Sequence, residues 1–193
     1  MQDMQNNQGN GLACRVTKND QGQMMVRHGS AVFKNWKVVG WLSNEEIQEA
    51  NWIMDHNPTT VIASNKGQTT YTYHANRKAV HINPEVTKGK ISFTLRINVM
   101  GDIIEQKGEH EDLSKLENVA SLEKILTQDI EQQVKQALDK SQNYFGVDYL
   151  GLGHELYKKN PQVFRQLDWN AMYPQVPVRV IVQAKIDTFG AFK

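Results

Sequence analysis

The chain has 193 residues, among them 22 Lys and Arg, 21 Asp and Glu and a single cysteine, Cys14. The formal charge of +1 gives no global field that would attract nucleic acid or anionic lipid, and one cysteine forms neither an internal disulfide nor a thiolate metal cluster. There is no apolar run as long as a membrane span, and residues 1–11 are polar, unlike a signal peptide. This composition predicts a soluble, globular chain.

The first elements follow from local patterns. Residues 1–11 lack hydrophobic periodicity, so we expect a flexible leader before a single domain over residues 12–193. Apolar pairs on either side of the short stretch 34–37 predict a hairpin within residues 24–41. Ser43 and Glu46 form the pattern of a capping box, which predicts a helix from residue 44 to residue 55.

The middle of the chain changes to the twofold period of β-structure. Short runs at 61–63, 69–74 and 78–82 are rich in strand-forming residues. Residues 90–100 (KISFTLRINVM) alternate cleanly, which predicts a strand with one face on the core and the other toward water or a partner.

The remaining elements are mainly helical. Apolar residues at steps of three and four predict a long helix over residues 113–143. We expect a second helix with Asp148 as its N-cap, a break at Asn160-Pro161 and a short helix through Leu167.

A terminal strand is predicted over residues 176–187. Its almost continuously apolar stretch at 178–182 predicts a position in the middle of the sheet rather than at its edge. The predicted fold class is α+β, with an antiparallel or mixed β-sheet and helices, including one long helix, packed mainly on one face.

Candidate chemistry is sparse. The histidines are scattered, and we expect them on the surface or in the core; the alternative is a metal site formed by His74 and His81 from neighbouring short strands. Gly151-Leu152-Gly153 lacks the third glycine of a dinucleotide loop, and no P-loop is present. We therefore predict no catalytic, cofactor-binding or metal-binding residue, and a protein that is not an enzyme.

The aromatic residues give no sign of a nucleic-acid platform, because the alternating strand at 90–100 carries only one Phe. We interpret all four tryptophans as core residues: Trp36, Trp41, Trp52 and Trp169.

Two stretches resemble a known family. Residues 29–46 read GSAVFKNWKVVGWLSNEE, and residues 147–193 contain DYLGLGHELYKKNPQVFRQL, Trp169 and a closing strand, VPVRVIVQAKIDTFGAF. Both resemble the C-terminal domain of the Ger(x)C spore germination proteins, the C subunits of nutrient germinant receptors. Trp36 departs from the pattern, because it occupies a turn position that is usually polar.

The resemblance implies a lipoprotein context. Members of this family are tethered through a lipidated cysteine on the outer face of the spore inner membrane, beside a multi-spanning A subunit and a transporter-like B subunit, where they take part in signal transduction. Cys14 lies in no lipobox, so the lipid anchor is expected to be absent from this chain, which would be the C-terminal half of a longer protein. The resemblance implies no known catalytic residues. As a separate hypothesis, we expect Gly40 and Gly151 to have roles in the fold, as sites of backbone freedom.

Three hypotheses follow. The first is a non-enzymatic domain of a germinant receptor, assembling with the A and B subunits through an exposed sheet face or the outer face of the long helix. The second is a domain that binds a small germinant such as alanine, glucose or inosine in a pocket. The third is a metal-dependent hydrolase using His74 and His81.

Overall fold

A computed structural model describes residues 9–18, 21, 24–54, 60–109 and 111–189. The strands are β1 (Gly11–Lys18), β2 (Met24–Lys34), β3 (Lys37–Leu42), β4 (Thr60–Lys66), β5 (Thr69–Thr87), β6 (Lys90–Lys107) and β7 (Val178–Phe189). The helices are α1 (Asn44–Met54), α2 (Leu116–Asp139), α3 (Leu152–Lys159), α4 (Pro161–Phe164) and α5 (Trp169–Met172). A π-helical turn (Lys140–Phe145) extends α2, and a 3₁₀ turn (Tyr173–Gln175) follows α5.

The first sheet is antiparallel, in the order β1–β2–β3. Its second hairpin is the one predicted over residues 24–41. Asn35 and Trp36 form the two-residue turn, and both have positive φ angles, 51° and 65°, as a type I′ turn requires. Strand β1 was not predicted, because its sequence, GLACRVTK, alternates poorly and depends on pairing with β2.

The predicted leader lies partly outside the described residues, which begin at Gly9. Strand β1 already starts at Gly11, and the backbone N–H of Trp36 donates to the carbonyl of Gly9 at 2.9 Å. The Asn10 side chain is buried and donates from Nδ2 to Oδ1 of Asn170 at 2.8 Å. These contacts fix residues 9–11 against the turn of the hairpin and against α5.

Helix α1 begins with the expected capping box. The Ser43 N–H donates to Oε2 of Glu46 at 2.8 Å, and the Glu46 N–H donates to Oγ of Ser43 at 3.3 Å. Each side chain therefore satisfies a backbone donor that the first turn leaves unpaired. The helix is described through Met54, so the predicted last residue, Asp55, lies outside the described residues.

The second sheet has four strands in the order β4–β5–β6–β7. The two runs predicted at 69–74 and 78–82 are one 19-residue strand, β5, which pairs along most of its length with the 18-residue β6. A β-bulge between Ala75 and Arg77 shifts the register between the two runs, but the strand continues through it. The alternation predicted for residues 90–100 is confirmed, and the strand continues to Lys107.

The predicted central position of the last strand is wrong. Strand β7 lies at the edge of the sheet and pairs only with β6, in parallel. The long helix takes the place of a further strand: the Ala184 N–H donates to Oγ1 of Thr127, and the Ile186 N–H donates to Oε1 of Glu123, each at 3.1 Å. Helix side chains thus satisfy part of an edge that would otherwise be open.

The core lies between the four-stranded sheet and the helices, which pack on one face of that sheet, as predicted. Helix α2 starts three residues later than expected. Its first apolar residue, Leu116, is exposed, but six residues further along are buried: Leu122, Leu126, Ile130, Val134, Ala137 and Leu138. Facing it are the inward residues of β6: Ile91, Phe93, Leu95, Ile97 and Val99. Val32 and Leu42 of the first sheet belong to the same cluster.

The interpretation of the tryptophans is correct for two of the four. Trp52 and Trp169 are buried in the core. Trp36 and Trp41, in contrast, are exposed on the β2–β3 hairpin. The sequence could not separate the two pairs, because tertiary packing determines which face of each element is covered.

Candidate interaction surface

The second sheet has an outer face with no helix over it in the described part of the chain. On this face the strand register places His81 of β5, Arg96 of β6 and Ile181 of β7 side by side. In the neighbouring row, Asn98 of β6 lies beside Gln183 of β7. Arg96, Asn98 and Gln183 are exposed, so this is the polar face that the alternation of residues 90–100 predicts.

Some of the charged side chains on this face form ion pairs and others do not. Arg77 forms an ion pair with Asp187, and Lys185 pairs with Glu123 of α2 at 2.6 Å. Arg96 and Arg179 have no acidic partner within ion-pair distance among the described residues. An exposed face with two such guanidinium groups is suited to an acidic protein surface, because arginine binds carboxylates through two parallel hydrogen bonds.

A polar groove of about 560 Å³ lies on another side of the molecule, between α1, α2 and the edge strand β4. Three carboxylates line it, those of Glu45, Glu49 and Asp129, together with several glutamines. Burial and the nearby carboxylate of Glu46 raise the pKa of Glu49 above its ordinary value. Among the described residues no lysine or arginine lines the groove, so its chemistry favours an amine or another cation.

The hypothesis of a metal site at His74 and His81 is wrong, because the two residues are too far apart to share a metal ion. His74 and His81 lie seven residues apart on the same strand, β5, which separates them by about 23 Å at the rise of an extended strand. In the part of the chain that the structure describes, no group of three or more His, Cys, Asp and Glu side chains is placed to hold a metal ion. Cys14 is exposed and has no disulfide.

The glycine cluster at 151–153 has a role in the fold. The buried carboxylate of Asp148 accepts the backbone N–H groups of Gly151, Leu152 and Gly153 at 2.9, 3.0 and 2.6 Å. It also accepts Nε1–H of Trp169 at 2.9 Å. Asp148 therefore supplies the acceptor for the first turn of α3, although Gly151 rather than Asp148 occupies the N-cap position.

Two effects on the pKa of this carboxylate oppose each other. Burial raises the pKa of Asp148, while its four N–H donors limit the rise because they favour the charged form. Nearby, the hydroxyl of Tyr173 lies 2.5 Å from that of Ser141, which donates to the carbonyl of Val147 at 2.7 Å. Burial, together with the charge of Asp148, raises the pKa of Tyr173. These buried groups connect the π-helical turn after α2, the start of α3, and α5 with its 3₁₀ turn.

The two glycines singled out from the sequence have different roles. Gly151 has a φ angle of +85°, so it supplies backbone freedom as expected. Gly40 is needed for close packing instead, because a Cβ there would lie 2.4 Å from the ring of Phe145. The quoted motifs thus form the hairpin, the cap of α1 and the Asp148 cluster, all of which serve the fold.

A family model matches most of the chain. Residues 28–190 match the model described as "Spore germination B3/ GerAC like, C-terminal". The chain belongs to the Ger(x)C spore germination family. This confirms the resemblance carried by residues 29–46 and 147–193, and it gives the domain a role in germination.

Individual Ger(x)C relatives are distant in sequence. "Spore germination protein B3" of Bacillus subtilis (strain 168) is 23% identical over 180 residues, which cover 91% of this chain and 48% of the relative. "Spore germination protein YndF" of the same strain is 27% identical over 172 residues, and "Spore germination protein KC" is 24% identical over 177 residues. The chain spans less than half the length of each of these relatives.

The fold has a solved counterpart. The structure titled "Crystal Structure of the GerBC protein" aligns with a TM-score of 0.79 at 22% identity and covers 95% of this chain and 58% of that chain. This likeness confirms the α+β class with a mixed sheet. Among the described helices of this Ger(x)C domain, none combines the length and the apolar character needed to cross a membrane.

Proposed function

We propose that this Ger(x)C domain is a non-enzymatic assembly module of a germinant receptor, at the outer face of the spore inner membrane. The partners are the A and B subunits, and the lipid anchor belongs to a part of the protein outside this chain. The observation that supports the proposal is the outer face of the second sheet, with unpaired Arg96 and Arg179 on a chain whose family acts in germination. Such a face offers exposed positive charge for a protein partner.

The direct test is recovery of the partner subunits. The purified chain is immobilised and exposed to detergent-solubilised spore inner membranes, and bound proteins are identified by mass spectrometry. We expect the A or the B subunit to be recovered. Replacing three outer-face residues together (Arg96→Ala, Arg179→Ala and Gln183→Ala) should lower the recovery about tenfold, because truncated interface arginines commonly cost that much affinity.

A matched triple variant gives the control. Lys124, Gln128 and Lys135 are exposed at helical spacing on α2, and alanine is well tolerated there. Changing these three should leave recovery unchanged. Undiminished recovery with the sheet variant would contradict the proposed surface, and loss with the helix variant would move it to the outer face of α2. No recovery by a chain shown to be folded would overturn the assembly proposal.

The polar groove supports a second candidate, a domain that binds a small germinant. Its carboxylates favour a ligand with an ammonium group, so alanine fits it better than glucose or inosine. Calorimetric titration of the chain with alanine is expected to show saturable binding that Glu49→Gln weakens. A flat titration with all three compounds would exclude this candidate and would leave the assembly proposal intact.

A further inference from the structure

The outer face of the first sheet is apolar in the described part around the β2–β3 turn. On this face the register pairs Ala31 with Trp41 and Phe33 with Val38, whereas the opposite face carries the buried Val32 and Leu42. Antiparallel sheets that cover a core on one side normally show polar residues on the other. We use the name hairpin patch for four residues with large exposed fractions: Trp36 58%, Val38 49%, Val39 46% and Trp41 53%.

The hairpin patch is held on a fixed element. Gly40, on the inner side of β3, packs so closely on Phe145 that a Cβ would lie 2.4 Å from its ring. The Trp36 N–H donates to the Gly9 carbonyl at 2.9 Å. The exposed side chains therefore lie on a strand and a turn that contacts with Phe145 and Gly9 hold in place.

Trp36 is an unexpected residue for its position. Its φ angle of 65° lies in the left-handed region, where bulky side chains are uncommon and Gly or Asn is favoured. The turn therefore accepts backbone strain with a tryptophan that gains little burial. The indole packs on Gly9, where a Cβ would lie 2.4 Å from its Cδ1, yet most of the side chain stays exposed and available to a partner.

Charge adds a second, independent observation. No Asp or Glu occurs between Asp20 and Glu45, while the interval contains Arg27, Lys34 and Lys37. The chain as a whole is almost neutral. Of these, Lys37 is exposed directly beside Trp36 and Val38, whereas Nζ of Lys34 lies near Gly146, so Lys37 is the described cation of the patch.

We propose that the hairpin patch docks on a membrane surface that contains anionic lipid. Tryptophan favours the interface between headgroups and acyl chains, valine adds apolar area, and flanking lysines are attracted by anionic headgroups. The patch offers this combination on one rigid hairpin, with no carboxylate of its own to repel the lipid. The docking goes beyond receptor assembly and requires no other receptor subunit.

The test uses vesicles and the intrinsic fluorescence of the chain. Vesicles of phosphatidylcholine mixed with phosphatidylglycerol are compared with pure phosphatidylcholine, by sedimentation and by tryptophan emission at low salt. We expect sedimentation with the mixed vesicles and a blue shift of the emission, because Trp36 and Trp41 leave water while Trp52 and Trp169 are already buried. Added salt should weaken the binding.

Variants assign the effect to the hairpin. Trp36→Ser and Trp41→Ser together should abolish the blue shift, and Lys37→Gln should weaken binding about fivefold, as expected for one lysine near an anionic surface. Leu116→Ser is the control, because Leu116 on α2 is an exposed apolar residue (86%) far along the chain from the hairpin. If the double variant does not fold because Trp41 packs beside Ala31, the single variant Trp36→Ser replaces it. Trp36 lies in the turn, so its loss should disturb the sheet less.

Four outcomes would overturn the proposal: no binding of the unaltered chain to mixed vesicles, equal binding to pure phosphatidylcholine, binding that survives the tryptophan changes, or capture of a protein that requires the patch while the vesicles are not bound. Each of these outcomes can be distinguished from a failure of the receptor-assembly proposal. That proposal is tested on Arg96 and Arg179, on a different sheet.

Discussion

Replacing Asp148 with Asn is expected to lower the free energy of unfolding by about 2 to 4 kcal/mol. The carboxylate accepts four N–H groups, three from the first turn of α3 and one from Trp169. Asparagine keeps one accepting oxygen and turns its NH₂ group toward donors, so about two buried donors lose their acceptor. Urea denaturation measures the change directly, and the melting temperature should fall by roughly 5–15 °C for a chain of this size.

The matched control for this prediction is Asp168→Asn. Asp168 caps the short helix α5 on the surface and accepts a single N–H, that of Ala171, at 3.2 Å. Asn and Asp are nearly equivalent as N-caps, so a change below about 0.5 kcal/mol is expected. If the Asp148 variant were as stable as this control, the buried carboxylate would not be what holds α3 to Trp169.

Replacing Gly101 with Ala is expected to cost about 3 kcal/mol or more. A Cβ at this position of β6 would lie 2.2 Å from the carbonyl oxygen of His74 and 2.8 Å from Cα of Ala75. Both contacts are with the backbone of β5, which is paired on both sides and has little room to move. The same Cβ would lie 2.8 Å from the ring of Tyr73, whose hydroxyl donates across β6 to the Lys185 carbonyl at 2.8 Å.

Two further variants separate the contributions at Gly101. Gly89→Ala, in the open turn between β5 and β6, meets no atom within 4 Å and should cost only about 1 kcal/mol, for its positive φ angle. Tyr73→Phe removes only the hydroxyl and should cost about 1 kcal/mol. Burial raises the pKa of Tyr73, so its hydroxyl stays protonated and this bond persists across the usual pH range. Unfolding curves for Gly101→Ala that match Gly89→Ala would show that β5 and β6 can separate locally at little cost.

The sequence alone predicted those elements whose formation depends on near neighbours. The capping box at Ser43 and Glu46, the long helix and the alternating strand at 90–100 each follow from side chains within a few positions of one another. Family membership was also readable, because its motifs occupy the hairpin and the Asp148 cluster, where local turns require particular residues.

Tertiary structure decided everything that depends on which surfaces meet. The apolar run at 178–182 is shielded by a helix rather than by a second strand. His74 and His81 share one strand because a bulge shifts the register without ending it. Trp36 and Trp41 were predicted to be buried like Trp52, yet they are exposed on the β2–β3 hairpin. Local patterns fix which face of an element is apolar, but only long-range packing fixes which apolar faces are covered.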